Sequence, residues 1–326
     1  GSAGVKDIVI QTSDNGDTTL SDVYTVNEKG IIYTNLPTNG SWAGGYPVVI
    51  IGTNLCNGGD VTNVTLCGVA AQAVTFQSAM QLVVTAGAGT PGVGDVRVFS
   101  TSYGETVKSN AFEYLRGTQA PLVFTPATPQ MYLTTNALSV SGGSGTGAVS
   151  YEVLSGPGTI VDATNLTVTA GAGTIVLEAT KAQDDVYFEV SAVATVTASK
   201  AVQTINFPPI ATQTEYDVVG LAATADSGLA VSFQVVSGPG QITGGGGTNL
   251  SFTGAGMVSV RALQGGNANW LPAVPVTNTF RVLGYYTLTV GSVHGTPSPG
   301  SGLYTNLEGT ILTNSVTTPD TQDTTQ

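Results

Sequence analysis

Ser150-Tyr151-Glu152-Val153-Leu154-Ser155-Gly156-Pro157-Gly158 reappears 82 residues later as Ser232-Phe233-Gln234-Val235-Val236-Ser237-Gly238-Pro239-Gly240. Outward from this pair, Thr164-Asn165-Leu166-Thr167-Val168-Thr169 matches Thr248-Asn249-Leu250-Ser251-Phe252-Thr253. Gly171-Ala172-Gly173 then matches Gly254-Ala255-Gly256, and the offset drifts only from 82 to 84 residues. A fixed period of this kind marks two copies of one structural unit. Within each copy the alternation Tyr151, Val153 or Phe233, Val235 puts one face of a strand on a core. Ser-Gly-Pro-Gly ends that strand and turns it, because Gly accepts φ > 0 and Pro fixes φ. Tyr187 and Trp270 fall at equivalent places late in the two copies.

The rest of the chain reads the same way. Apolar runs of strand length recur at Pro47–Ile51, Leu82–Thr85, Asp95–Phe99, Thr174–Ala179 and Met257–Ala262, separated by Gly, Asn, Pro and Ser clusters. Helical periodicity is almost absent, so an all-β chain of tandem sandwiches is expected. The 326 residues suffice for roughly two to four domains. A hydrophobic content of 41% supplies cores, which a disordered chain lacks. Charged residues are only 9%, against ~25% in ordinary soluble proteins.

Nine basic residues against 21 acidic ones give a net charge of −12. Without a basic stripe, nucleic acid and anionic membrane surfaces are unexpected partners. No apolar run approaches the ~20 residues needed for membrane insertion as a helix. The chain opens Gly1-Ser2-Ala3-Gly4 and is read as a processed product or a fragment.

Upstream of the repeats a different unit reads Gly44-Gly45-Tyr46-Pro47-Val48-Val49-Ile50-Ile51-Gly52-Thr53-Asn54-Leu55. It continues through Gly94-Asp95-Val96-Arg97-Val98 to Asn110-Ala111-Phe112-Glu113-Tyr114. The Gly-Gly…Val-x-Ile-x-Gly-Thr-Asn-Leu opening, the Val-x-Val strand and the Phe-x-Tyr ending resemble the IPT/TIG immunoglobulin-like domain. The two later copies resemble bacterial Ig-like repeats of very large surface proteins, through Gln203-Thr204-Ile205-Asn206-Phe207, Ser-Gly-Pro-Gly and Ala268-Asn269-Trp270. The first copy departs from that pattern, with Gln183-Asp184-Asp185-Val186-Tyr187 where the second has Gly266-Asn267-Ala268-Asn269-Trp270. The resemblances imply immunoglobulin-like sandwiches outside a cell. The expected division is an N-terminal strand segment 1–36, an IPT/TIG-like domain 37–117, Ig-like repeats at 118–200 and 201–283, and a partial β repeat 284–326. The end segments, each holding two or three strands, are expected to pack on something, since such pieces are marginal in water.

Few residues suggest chemistry. Cys56 and Cys67 flank a Gly-rich turn and a short strand, and are read either as a disulfide or as two free buried thiols. His294 sits between Gly and Pro residues, which points to an exposed turn rather than a catalytic triad. The doublet Asp184-Asp185 is read as a loop tip, because adjacent strand residues point to opposite faces. Asp14, Asn15 and Asp17 faintly resemble a calcium loop, but the spacing with its distal Glu is missing. A plain turn is the simpler reading, and no cofactor is expected beyond that weak calcium candidate. Trp42, Tyr46, Tyr103, Trp270, Tyr285 and Tyr286 could stack on glycans or plug the ends of sandwiches.

The expected function is non-catalytic and structural, at a cell surface or in the extracellular space. Ile8, Val9 and Ile10, and Tyr285, Tyr286, Leu288 and Val290, are candidates for pairing with another copy of the chain or with neighbouring domains by strand addition. Such pairing would give a filament, sheath or surface layer. Two alternatives are an adhesin stalk or carbohydrate-binding module, and an accessory region of a large secreted enzyme.

Overall fold

The computed structural model describes residues 2–293 and 295–317, and among these there are strands and turns but no helix. Three separate apolar cores run along the chain, each between two layers of sheet.

The first core lies between a five-stranded sheet containing Gly92–Ser100 and Gly104–Leu115 and a four-stranded sheet containing Pro47–Thr53 and Gln81–Thr85. Strict alternation builds it: Val48 and Ile50, Leu82 and Val84, and Val96 and Val98 point inward and are fully buried. Ile31–Leu36 pairs antiparallel with Pro47–Thr53, so this sandwich begins at Ile31, inside the segment expected to stand apart as 1–36. The Gly-Thr-Asn-Leu motif has a steric reason. A Cβ on Gly52 would stand 2.1 Å from the Ile31 carbonyl oxygen. Asn54 takes φ 53°, a left-handed turn that Asn tolerates, and swings Leu55 into the core. The Phe-x-Tyr ending is also core: Phe112 and Tyr114 meet edge to face at 5.2 Å, and the Tyr114 hydroxyl donates to the Gly87 carbonyl. Burial pushes that phenol up to about 12.

The expected Cys56–Cys67 bridge is not formed; both residues are free thiols. The strand Val61–Leu66 lies between them, and six extended residues span roughly 20 Å, far beyond the ~4.4–6.8 Å between the Cα atoms of a disulfide. Each thiol instead donates to a carbonyl: Cys56 to Ser78 and Cys67 to Phe112, both at 3.2 Å.

The two repeat copies share one architecture. In the first, Gln130–Met131, Val190–Ser199, Gly173–Lys181 and Val149–Ser155 form one sheet, and Thr135–Ala137, Asn165–Val168 and Gly158–Val161 the other. In the second, Gln213–Thr214, Val276–Leu283, Gly256–Leu263 and Ser232–Ser237 face Val218–Gly220, Asn249–Phe252 and Gly240–Thr243. Leu166, Ile175 and Leu177 anchor one core, and Leu250, Val258 and Val260 the other, all fully buried. The Ser-Gly-Pro-Gly turn needs its first glycine, since Gly156 and Gly238 adopt φ 95° and 88°. Just before it, each edge strand slips register between Val153 and Ser155, or Val235 and Ser237, and turns Leu154 or Val236 out to solvent.

In all three sandwiches a short parallel strand closes one sheet against the last long strand. Asn39–Ser41 lies on Gly104–Leu115, Gln130–Met131 on Val190–Ser199, and Gln213–Thr214 on Val276–Leu283. Downstream, Tyr285–Val290 pairs with Gly302–Leu307, and Thr296–Ser298 with Ser315–Thr317.

Two outcomes follow from separate cores and unpaired thiols. Leu166→Ala or Leu250→Ala should cost about 2–5 kcal/mol. In calorimetry each should lower the melting transition of its own sandwich and leave the other in place. Alkylation of the denatured chain without reductant should label both Cys56 and Cys67 by mass spectrometry.

Candidate functional site

The strands Gly4–Thr12 and Gly16–Val26 make a two-stranded antiparallel hairpin. Its register pairs Ile8 with Leu20 and Ile10 with Thr18, so these residues share a face while Val9 and Thr19 look the other way, and beyond a slip after Lys6 the pairs Lys6 with Tyr24 and Val5 with Thr25 follow. Both faces are open: Ile8 is 43% exposed, Val9 and Ile10 50%, and Tyr24 57%. Asp14 and Asn15 lie in the tip of this hairpin and Asp17 just after it. The chain's own groups close the turn, with Thr12 Oγ1 donating to the Gly16 carbonyl and Gln11 donating to the Asp17 carboxylate. Among the described residues no three His, Cys, Asp or Glu gather as a metal site. His294 lies outside the described residues.

The remaining candidates converge on the joints between sandwiches. At the first joint the connector residue Gly117 donates its N–H to the Val186 carbonyl and accepts the Phe188 N–H, both at 2.9 Å. Between those partners stands Tyr187, whose ring meets Trp42 of the preceding sandwich edge to face at 5.6 Å. At the second joint Ala201 donates to Asn269 and accepts from Leu271, both at 2.9 Å, and Trp270 meets Tyr132 at 5.8 Å in the same T-shape. Gln119 and Gln203, both buried, brace the two loops by donating to the carbonyls of Phe188 and Leu271. Connector side chains reach across as well: Arg116 donates to Gln183, and Lys200 to the Asn267 carbonyl.

Asp184 proves to be the scaffold of the first loop. Its Oδ1 accepts the N–H groups of Val186 and Tyr187, and its Oδ2 accepts the Thr146 N–H and hydroxyl. The Thr146 and Val186 amides hold its carboxyl down to about 2, with Tyr187 adding to them. At the second joint Asn267 Oδ1 accepts from Asn269 and Trp270 in the same way. The aspartate that departs from the repeat pattern therefore does the same work as the asparagine.

The aromatic candidates sort by position. Trp42 and Trp270 are joint residues, and Tyr285 stacks on Tyr216 at 5.2 Å. Tyr46 packs on the first core and donates to the Ser41 carbonyl, whereas Tyr286 is 59% exposed. Leu288 stands open on the same tail strand, and Val290 is half-buried at its end. Sequence reasoning paired Tyr187 with Trp270 but missed Tyr132, Glu215, Gln119 and Gln203. The last two sit at an offset of 84, so the repeat already held that signal.

Residues 31–114 match the IPT/TIG domain family, so the first sandwich is an IPT/TIG domain. The match starts where the strand Ile31–Leu36 enters its sheet. Among solved structures, Sidekick-1 immunoglobulin domains 1-5 are similar at 13% identity and TM-score 0.36, over 86% of this chain and 66% of that one. The chain thus spans just under two thirds of that five-domain segment. Extracellular domains 3-5 of Drosophila OTK are similar at 13% identity and TM-score 0.26, over 79% of this chain and 98% of that one. Protocadherin Gamma B7 extracellular cadherin domains 1-4 are similar at 11% identity and TM-score 0.29, over 85% and 83% of the two chains. No curated protein matches the chain.

Asp184 and Asn267 give the two joints different acid responses. A depressed carboxyl contributes its full stability above its unfolded value, ~3.9, and loses it as pH falls toward the folded value. The NMR amide shifts of Val186 and Tyr187 should therefore titrate with a midpoint at about pH 2, while those of Asn269 and Trp270 stay flat. Asp184→Asn should abolish the difference.

Proposed function

We propose that this chain is a non-catalytic, extracellular structural segment, a rod of sandwiches that assembles with further copies of itself through the hairpin Gly4–Val26. The module limits expected at 118, 201 and 284 are taken as the limits of its repeating units. One observation carries the reading: the hairpin holds Ile8, Ile10 and Leu20 on one face and Val9 on the other, and these side chains, with Val5 and Tyr24 beyond the slip, stand open to solvent. A two-stranded ribbon is marginal in water, and pairing its edge or covering its faces stabilises it. A second copy offers matching surface at Tyr285–Val290, a short strand with Tyr286 and Leu288 open to solvent. Addition of strand to strand supplies affinity through main-chain hydrogen bonds.

A carbohydrate-binding role has less support. Trp42, Trp270 and Tyr285 each meet another ring of the same chain, which leaves Tyr286 as the open aromatic among the best candidates.

Sedimentation velocity and negative-stain electron microscopy over a concentration series test the reading. The wild-type chain is expected to grow in length with concentration, and the double variant Ile8→Lys, Ile10→Lys to remain monomeric with its sandwich melting transitions unchanged. A wild-type chain that stays monomeric throughout, or a variant that assembles as well as wild type, would sink it.

A further inference from the structure

Three residues occupy one structural place. Trp42, Tyr132 and Glu215 each follow the short parallel strand, and each donates its backbone N–H to the end of the last strand, at Leu115, Ser199 and Leu283 respectively. Two residues beyond each acceptor comes an equivalent residue of the joint: Gly117, Ala201 and Tyr285. The fate of that residue's single N–H differs with the side chain at the shared place. Beside Trp42 and Tyr132 it goes to the incoming loop, at Val186 or Asn269. Beside Glu215 it goes to the glutamate itself, at 3.0 Å.

We propose that this position is the specificity determinant of each end face. An aromatic there receives a module whose Asp- or Asn-capped loop carries Tyr or Trp, and the joint is clamped. A glutamate there takes the connector N–H, leaves that loop no donor, and accepts a different class of module.

The chemistry supports the exclusion as well as the fit. One N–H cannot fully serve both a carboxylate and a loop carbonyl. A carboxylate set against the Trp270 ring would also lose water without gaining a cation. The strand that does follow Glu215 makes a different joint: Tyr285 stacks on Tyr216, and Glu308 pairs with Arg281 and donates its N–H to the Gly284 carbonyl.

The Gly-Ala-Gly turns, on the same end faces, point the same way. Gly171 donates to Asn269 Oδ1 at 2.9 Å, and a Cβ there would stand 2.6 Å from the Asn269 Cα. Its repeat counterpart Gly254 has nothing within 4 Å of that position. The face headed by Tyr132 holds the incoming loop against Gly171, whereas on the face headed by Glu215 the strand that follows leaves the same place open. This inference rests on joint geometry and is independent of the assembly reading above.

The connectors carry their own reporters, because Arg116 and Lys200 are trypsin sites bonded across the joints. Limited trypsinolysis of the full chain, with fragments read by mass spectrometry, tests the proposal. Cleavage tracks how often a segment opens, so Tyr132→Glu should speed cutting after Lys200 by about tenfold or more and leave Arg116 unchanged. Gly171→Ala should do the same by steric pressure, and Trp42→Ala should free Arg116 alone. Tyr132→Phe and Gly254→Ala should match wild type. Arg97 and Arg261, inside the sandwiches, report whole-module opening. The proposal is overturned if Tyr132→Glu and Gly171→Ala both leave the Lys200 rate within about twofold of wild type. It is equally overturned if cutting after Lys200 rises only in step with Arg261.

Discussion

A short parallel strand laid on the final strand of each sandwich is the constraint from which the rest of the architecture follows. It brings the start of a module to the place where the chain leaves it, so one small end face carries both the exit and the residue that greets the next module. Connector backbone groups held against that face need partners. Gly117 and Ala201 find them in the loop of the following module, through the same two hydrogen bonds at both joints. Edge-to-face ring pairs of the kind made by Trp42 with Tyr187 and Tyr132 with Trp270 are worth ~0.5–1.5 kcal/mol beyond their burial. Each joint therefore combines direction from the backbone with apolar contact from the rings.

The repeat made much of this readable without coordinates. Alternation at Tyr151, Val153 and at Phe233, Val235 placed the core faces, and Gly-Pro-Gly placed the turns. The IPT/TIG likeness rested on Gly52, Asn54 and Tyr114, whose roles in the structure are steric, conformational and hydrogen-bonding. What escaped was non-local. The short strand between Cys56 and Cys67 was legible, but the separate carbonyls that each thiol meets, Ser78 and Phe112, were not. The start of the first sandwich at Ile31 depends on a pairing with Pro47–Thr53, from which Ile31–Leu36 is separated by the strand Asn39–Ser41 of the other sheet. Tyr132 lies 138 residues from Trp270, so no local pattern links them. Asp184 is the instructive case: as one of a pair of acids it suggested a loop tip, and only the amides of Thr146, Val186 and Tyr187 show what its carboxylate holds.

The same fold treats its edges unequally. Val149–Ser155 and Ser232–Ser237 are exposed sheet edges, and each carries a register slip that bends the strand and spoils its ladder for an outside partner. The repetition of that slip in both copies makes it part of the module rather than a local accident. Charge could not do this work here. Nine cations serve the whole chain, and two of them, Arg116 and Lys200, are spent at joints. On the sheet faces, polar cover comes from hydroxyl pairs such as Thr135 with Thr167 and Ser259 with Thr279.

Against that background the hairpin Gly4–Val26 stands out on energetic grounds. Its irregularity, between Lys6 and Ile8, leaves Ile8 to Thr12 in unbroken register with Gly16 to Leu20. An ordered ladder with Ile8, Ile10 and Leu20 in water forgoes the ~1.5–3 kcal/mol that burying each such side chain would contribute. The repeat sandwiches instead hide their comparable residues, Ile175 and Leu177 or Val258 and Val260, completely. The stretch from Ile8 to Thr12, like the tail strand Tyr285–Val290 on Gly302–Leu307, keeps an unbroken ladder with apolar side chains in water, whereas the module edges Val149–Ser155 and Ser232–Ser237 each carry a slip.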